Sequence, residues 1–521
     1  MGRQRVYVIT AVSLGVLAAL AAASPGISAP EPIATAAVQV TANPAPVRNH
    51  SSPQLARNPD TGELVIVESD VRGDRACKIH ISTDDGRSWR PGGDMMVKPF
   101  TDCAIYAEYG AYASLAFSKD GTLFVAFVAS DFLGRERNET PRHIYLARSS
   151  DSGRTFDVTR VFEAPDGNPD RGLNKGPMLA IDPADSQRIY IGWRQGIFAA
   201  NAKEKLKSNV AASADGGRTF GPPVDLTDDR GGDYPALAVG RDGTVHAVYW
   251  NRVWPPLPMG APNPIRPIYY RQSTDHGKTW SPLKDIDPGN QRADRPPLLA
   301  ADPNSNSLYM VWYASNQPEN QKQGYDGDID IYFLASADGG NTWGDRKLIN
   351  DDATPRKTNQ YDPGLAIAPN GRVDVAWLDG RNSPIAPVTG TSPTERGHQD
   401  VYYASSTDGG RTFTPNLLIS DRAIDRSLGT WENNVGSHHN LGVASTNAVV
   451  YVAWQDSRNA RQDTQPEDVY MTSIRLTVTA AKTDPADAGA PTWVIVGCGV
   501  AIGMALAMGA VVLRNRSARR S

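Results

Sequence analysis

The residues that could do chemistry stand at two recurring places in the 521-residue chain. Just ahead of a series of short apolar runs come Lys175, Asp233 with Tyr234, Arg295, Tyr361 with Asp362, and Glu432 with His438 and His439. Just past later runs come Arg194, Arg252, Asp379, Arg381 and Arg458. Guanidinium and ammonium groups clamp anionic oxygens, and aromatic faces with convergent polar groups suit sugars. A pair of carboxyl groups flanking a glycosidic bond can cleave it. Such a set fits recognition of an extracellular glycan or small anionic ligand, or hydrolysis of a glycoside. Adjacent His438 and His439 point to opposite sides of an extended segment. No zinc or calcium spacing, phosphate loop or nucleophile elbow stands out, so no metal and no cofactor are expected.

The elements that must position these residues announce themselves by repetition. Ser406-Thr407-Asp408-Gly409-Gly410-Arg411-Thr412-Phe413 has counterparts starting at Ser82, Ser149, Ser213, Ser273 and Ser336, spaced 60 to 70 residues apart. Each keeps Ser, Asp, Gly and Ser or Thr at fixed offsets and closes on Trp89, Phe156, Phe220, Trp280, Trp343 or Phe413. Ser and Asp bond the backbone of their own turn, Gly supplies positive φ, and the aromatic anchors the turn beneath a sheet. The period suits a whole four-stranded unit.

This turn resembles the Asp-box, or bacterial neuraminidase repeat, of sialidase-like β-propellers, and the copies span roughly residues 50 to 475. The resemblance implies an all-β propeller with the repeated turns on the face away from the active site. It also implies sialidase chemistry as an option. Sialidases hold the substrate carboxylate with three Arg and use a Tyr–Glu nucleophile with an Asp acid/base. Tyr361, Glu432 and Asp379, with Arg295, Arg381 and Arg458, could supply such a set. The usual motif of the first Arg is absent, and Ile265-Arg266-Pro267 has the wrong order.

A second repeat sets the blade count. Strand openings recur at Leu55, Leu115, Leu179, Leu237, Leu299, Leu365 and Leu441, five of them with Pro two residues earlier. Second strands end in Trp193, Trp250, Trp312, Trp377 and Trp454, and third strands lead into the Ser–Asp turns. Seven openings against six turns leave the last unit short of a hairpin. The expectation is therefore a single seven-bladed propeller over residues 51–478, closed by a strand at Val38–Thr41 within a 30–50 leader, with six blades as the alternative. Alternating strand direction gathers the long connections after strands two and four on one face, where function is expected.

An Asp also recurs past strand two, at Asp70, Asp131, Asp379 and Asp456, with Arg72, Arg135, Arg381 and Arg458 shortly after. Two readings stand: an acid-rich sector facing the basic Arg194 and Arg252, or a repeated turn locked by an Asp–Arg pair.

The termini suggest a cell-surface protein. Arg3 and Arg5 precede an apolar run from Val6 to Ala23, which fits a signal peptide over residues 1–29. Residues 479–491 form a polar stalk. Trp493 to Leu513 carries no charge and precedes Arg514, Arg516, Arg519 and Arg520. A transmembrane helix over residues 492–513 with a basic cytoplasmic tail at 514–521 is expected, placing the propeller outside the cell. In that oxidising setting Cys77 and Cys103 are expected to form a disulfide. With 53 basic against 57 acidic residues, nothing points to nucleic acid. The first functional reading is a membrane-anchored extracellular propeller that recognises glycans or another extracellular ligand on its long-loop face, with a sialidase-like glycosidase and a protein-docking scaffold as alternatives.

Overall fold

The computed structural model describes residues 32–476 apart from 47, 71–75, 99–102, 104–112, 131–141, 165–172, 197–205, 251–266, 288–291, 294–296, 316–328, 353–357, 383–397, 426–427, 429–440, 462 and 465. Both apolar terminal segments lie outside this range, as do Arg72, Asp131, Arg135, Arg252, Arg295, Glu432 and His439. Among the described residues no helix is long and apolar enough to cross a membrane. Pro32–Leu476 forms one compact unit.

Seven antiparallel sheets of four or five strands follow one another along the chain. In the first six the order runs outward from an innermost strand; blade 4, for example, runs Asp233–Val239, Val245–Trp250, Ile268–Ser273, Lys284–Asp287. The seventh draws three strands from Gly442–Ser445, Val449–Asp456 and Asp468–Arg475, and the N-terminal segment finishes it. Val38 and Gln39 pair with Met471 and Tyr470, and Ile33 and Ala34 extend the same edge toward Arg475. The result is a seven-bladed all-β propeller whose last blade is assembled from both ends of the chain. That closure removes the open edge which a linear stack of sheets would expose.

The second strands explain their own sequence. Leu64–Asp70, Leu123–Ala129 and Val373–Asp379 are buried at every position. Each is covered by a neighbouring blade on both faces, so the pattern is a continuous run and not a polar–apolar alternation. Alternation survives as a choice of neighbour. Leu64 and Ile66 pack with Tyr451, Val469 and Met471 of blade 7, whereas Val65 and Val67 pack with Leu123, Val125 and Phe127 of blade 2.

The repeated turn is a closed hydrogen-bond unit. The Ser406 hydroxyl donates to Asp408 Oδ1 at 2.8 Å and accepts the Gly410 amide at 2.8 Å. Thr412 donates its amide to Asp408 Oδ1 at 2.9 Å and its hydroxyl to Oδ2 at 2.6 Å. Those two bonds from Thr412 hold the Asp408 carboxyl far below the usual carboxylate range. Gly409 and Gly410 take φ of 73° and 79°, which a side chain would resist. The closing aromatic reaches the preceding blade: Phe413 meets Phe333 edge-on at 5.1 Å, and Trp343 meets Tyr270 at 5.5 Å. Cys77 and Cys103 are joined by a disulfide, with Cα atoms 5.4 Å apart.

Candidate functional site

The prolines of the innermost strands mark a second repeated device. In blades 1, 3, 4 and 6 the ladder between strands one and two shifts register, at Ser51/Gln54, Lys175/Met178, Asp233/Ala236 and Tyr361/Gly364. Each bulge contains a residue with positive φ directly before a proline: Ser52 (55°), Gly176 (56°), Tyr234 (38°) and Asp362 (53°). Proline has no amide to give the ladder, and the innermost edge is where a sheet tolerates it. Non-glycine residues in this conformation cost roughly 1–3 kcal/mol each and persist only where the surroundings fix them, as at ligand sites. The bulge sits at the start of the innermost strand, at the end opposite the Ser–Asp turns. Asp233 with Tyr234, Tyr361 with Asp362, and the backbone of Lys175 are thereby brought to the same level of blades 4, 6 and 3.

The blade 3–blade 4 corner is the most fully built. Arg194, with 2% of its side chain exposed, reaches across the blade boundary to the fully buried Asp233, Nε to Oδ1 3.2 Å. Its Nη1 donates to the Tyr234 hydroxyl at 3.2 Å, and its guanidinium carbon lies 5.2 Å from the Tyr234 ring centre. Arg194 is therefore a buried brace of the corner. In blade 6, Tyr361 is 5% exposed and its ring centre lies 6.4 Å from that of Tyr313, while Asp362 beside it is 1% exposed.

Asp379, Arg381 and Arg458 belong to a different arrangement. Asp379 Oδ2 accepts Trp377 Nε1 at 2.9 Å and Arg381 Nη2 at 2.8 Å; its Oδ1 accepts the Arg381 amide at 2.8 Å and Gln360 Nε2 at 3.3 Å. Blade 7 repeats this with Asp456, Trp454 at 2.9 Å, and Arg458 through its amide and Nη2, both at 2.8 Å. Each guanidinium stacks 4.1 Å from a tyrosine ring centre, Tyr402 or Tyr470. Asn382 and Asn459 then tie the turn to those tyrosine hydroxyls, each at 2.9 Å. Burial works against the charge of both arginines, but the carboxylates they bond outweigh it and raise both pKa values. Of the two readings of the Asp–Arg repeat, the locked turn is what blades 6 and 7 contain.

A network that the sequence reading passed over lies where the ring closes. Glu68 is fully buried, with Oε1 3.0 Å from His50 Nδ1 and 3.2 Å from His80 Nε2. Arg48 grips Asp468 through Nε and Nη2 at 2.8 and 2.7 Å, and the Asn49 side-chain amide donates to Glu467. Burial opposes the charge of Glu68 and of His50. Their mutual attraction prevails, lowering the Glu68 pKa and raising that of His50. Its one sequence signal is a Glu in a strand that is otherwise apolar up to that point. Among the described residues, no group of three or more His, Cys, Asp or Glu could hold a metal ion.

The fold is a seven-bladed, all-β propeller, with a braced Arg194–Asp233–Tyr234 corner and a Tyr361–Asp362 pair at one end of its innermost strands. No protein-family model matches the sequence. The chain is 27% identical over 320 residues to a xyloglucanase of Hypocrea jecorina (strain QM6a), a match covering 56% of this chain and 32% of that protein, so it spans about a third of the relative's length. Similar solved structures include the α-L-arabinofuranosidase Arb93A of Fusarium graminearum, at 13% identity and TM-score 0.45, covering 85% of this chain and 98% of that one. The α-L-arabinanase of Penicillium chrysogenum is 16% identical with TM-score 0.46, covering 71% and 98%. The Hadza microbial sialidase Hz136 is 14% identical with TM-score 0.40, covering 80% and 74%.

Proposed function

We propose that the protein is a glycoside hydrolase that works at the mouth formed by the pre-proline bulges. The observation that carries this is the recurrence of the strained bulge, which presents Asp233–Tyr234 and Tyr361–Asp362 on innermost strands. The xyloglucanase similarity supports hydrolysis over simple binding. In this reading Asp362 of blade 6 and Glu432 supply the carboxyl pair, with Tyr361 next to Asp362 in the chain. The Arg194–Asp233–Tyr234 corner forms the opposite wall, and Lys175, Arg252, Arg295 and His439 contribute ligand contacts. Asp379, Arg381 and Arg458 hold the loops that frame the mouth. The propeller is displayed outside the cell and anchored by the apolar segment near its C-terminus.

The test is release of reducing ends from xyloglucan, arabinan and a sialoside by the purified protein. Asp362→Asn and Glu432→Gln are expected to lower kcat by about 10²–10⁴-fold, the usual scale for a general acid or base. A folded protein that binds glycans but cleaves none would return the receptor reading to first place. Cleavage that survives both substitutions would reject this carboxyl pair.

A further inference from the structure

The repeats carry an internal comparison at the blade boundaries. In blade 4 the outer-strand Lys284, which faces Tyr270 across the ladder, sends its ammonium to the Gly340 and Asn341 carbonyls of the next Ser–Asp turn, at 3.3 and 3.2 Å. In blade 5 Lys347, facing Phe333, does the same to Gly410 and Arg411 at 2.8 and 2.7 Å. A lysine thus fastens each of these two blades to the turn of its successor.

Where the ring closes, the equivalent strand position is Val38, which faces Met471. The successor turn there is the one containing Gly86 and Arg87. A cleft of about 310 Å³ lies at this place, lined by Val38, Met471, Tyr451, Asp85, Gly86 and Arg87 among others. Its position and lining match the space a clamp lysine would fill: an apolar wall for the alkyl stem and turn carbonyls for the ammonium. A volume of this order is at the lower end for small-molecule sites.

Two further features define its chemistry. The turn position that is Gly339 or Gly409 at the lysine-clamped boundaries is Asp85 here, held at φ 58° with Oδ1 accepting the Tyr451 hydroxyl at 3.0 Å. A carboxylate has been added where the lysine is missing. Arg87 does not argue against a cation, because its counterpart Arg411 sits in the turn that receives Lys347. Arg475, also in the lining, opposes a cation and Asp85 offsets it. Gly86 O accepts Trp89 Nε1 at 3.2 Å and keeps a second lone pair.

We propose that this cleft binds a primary alkylammonium group, whether on a lysine side chain of a peptide or on a free small amine. The site is independent of the mouth and of the hydrolase reading. The probe is n-butylammonium, titrated into the full-length protein by calorimetry and thermal unfolding, with sodium and tetramethylammonium at equal ionic strength as controls. Saturable binding and a rise in Tm of about 1–2 °C are expected for n-butylammonium alone. Val38→Lys, which supplies its own ammonium, should abolish the response, and Asp85→Asn should weaken binding at least about 5-fold. Comparing Nα-acetyl-lysine methylamide with cadaverine then separates the peptide from the free-amine source. Equal responses in wild type and Val38→Lys, unchanged affinity in Asp85→Asn, or no saturable binding would each overturn the proposal. Should Val38→Lys fail to fold, Asp85→Asn decides alone.

Discussion

Replacing Asp379 by Asn separates a framing role from a chemical one. The carboxylate is fully buried and accepts from four donors: Trp377 Nε1, Arg381 Nη2, the Arg381 amide and Gln360 Nε2. Asparagine keeps one acceptor oxygen, so its amide nitrogen must face two of those donors. Leaving a buried donor unsatisfied costs about 1–3 kcal/mol, and breaking a buried ion pair from one side costs about 3–5 kcal/mol. With the Arg381 side chain 13% exposed, little solvent screens the loss, and a destabilisation of about 3–4 kcal/mol is expected. Asp456 makes the same contacts to Trp454 and Arg458, so Asp456→Asn is an internal control and should cost a similar amount. The assay is urea unfolding followed by tryptophan fluorescence, alongside glycan cleavage. If Asp379→Asn keeps the wild-type midpoint but loses turnover, the locked-turn argument is refuted and Asp379 becomes a chemical group.

Other expectations follow from the same contacts. Val38→Lys should stabilise the closing boundary by about 1 kcal/mol, since charge-assisted bonds to the turn carbonyls exceed the entropy of fixing the side chain; an unchanged or lower unfolding midpoint counts against the clamp. Arg194→Ala should leave Asp233 without its brace and cost about 3–5 kcal/mol, whereas Arg194→Lys, which keeps the charge without the planar fork, should recover only part of it; a wild-type midpoint for Arg194→Lys would show that the fork geometry is immaterial. The Glu68–His50 contact makes stability pH-dependent at both ends. Because the His50 pKa is raised in the folded protein, its contribution is full below the ordinary value of 6.5 and is lost as pH rises through the folded value. Because that of Glu68 is lowered, its contribution is full above 4.5 and is lost as pH falls through the folded value. The wild-type midpoint should therefore decline on the alkaline side, and His50→Asn should flatten that limb; an identical profile in the variant would place the titration elsewhere.

The sequence by itself determined the unit and the count. A turn whose Ser, Asp, Gly and Thr bond one another within seven residues must leave its signature in a short stretch, and it did so six times. The seven strand openings likewise gave the seven blades, because each innermost strand opens on the same local signature, a Leu followed by Ala or Gly. The prolines of the innermost strands were visible too, yet their consequence was not. Positive φ at Ser52, Tyr234 and Asp362 depends on the ladder to the second strand and on neighbouring blades that hold the bulge. Only the tertiary structure decided that Arg194 braces Asp233 across a blade boundary, that Asp379 and Asp456 face into their own turns, and that Val38 stands at the position where blades 4 and 5 carry a clamp lysine. Those contacts join residues brought together when separate sheets meet around the ring, and spacing along a chain carries no record of which blade faces which.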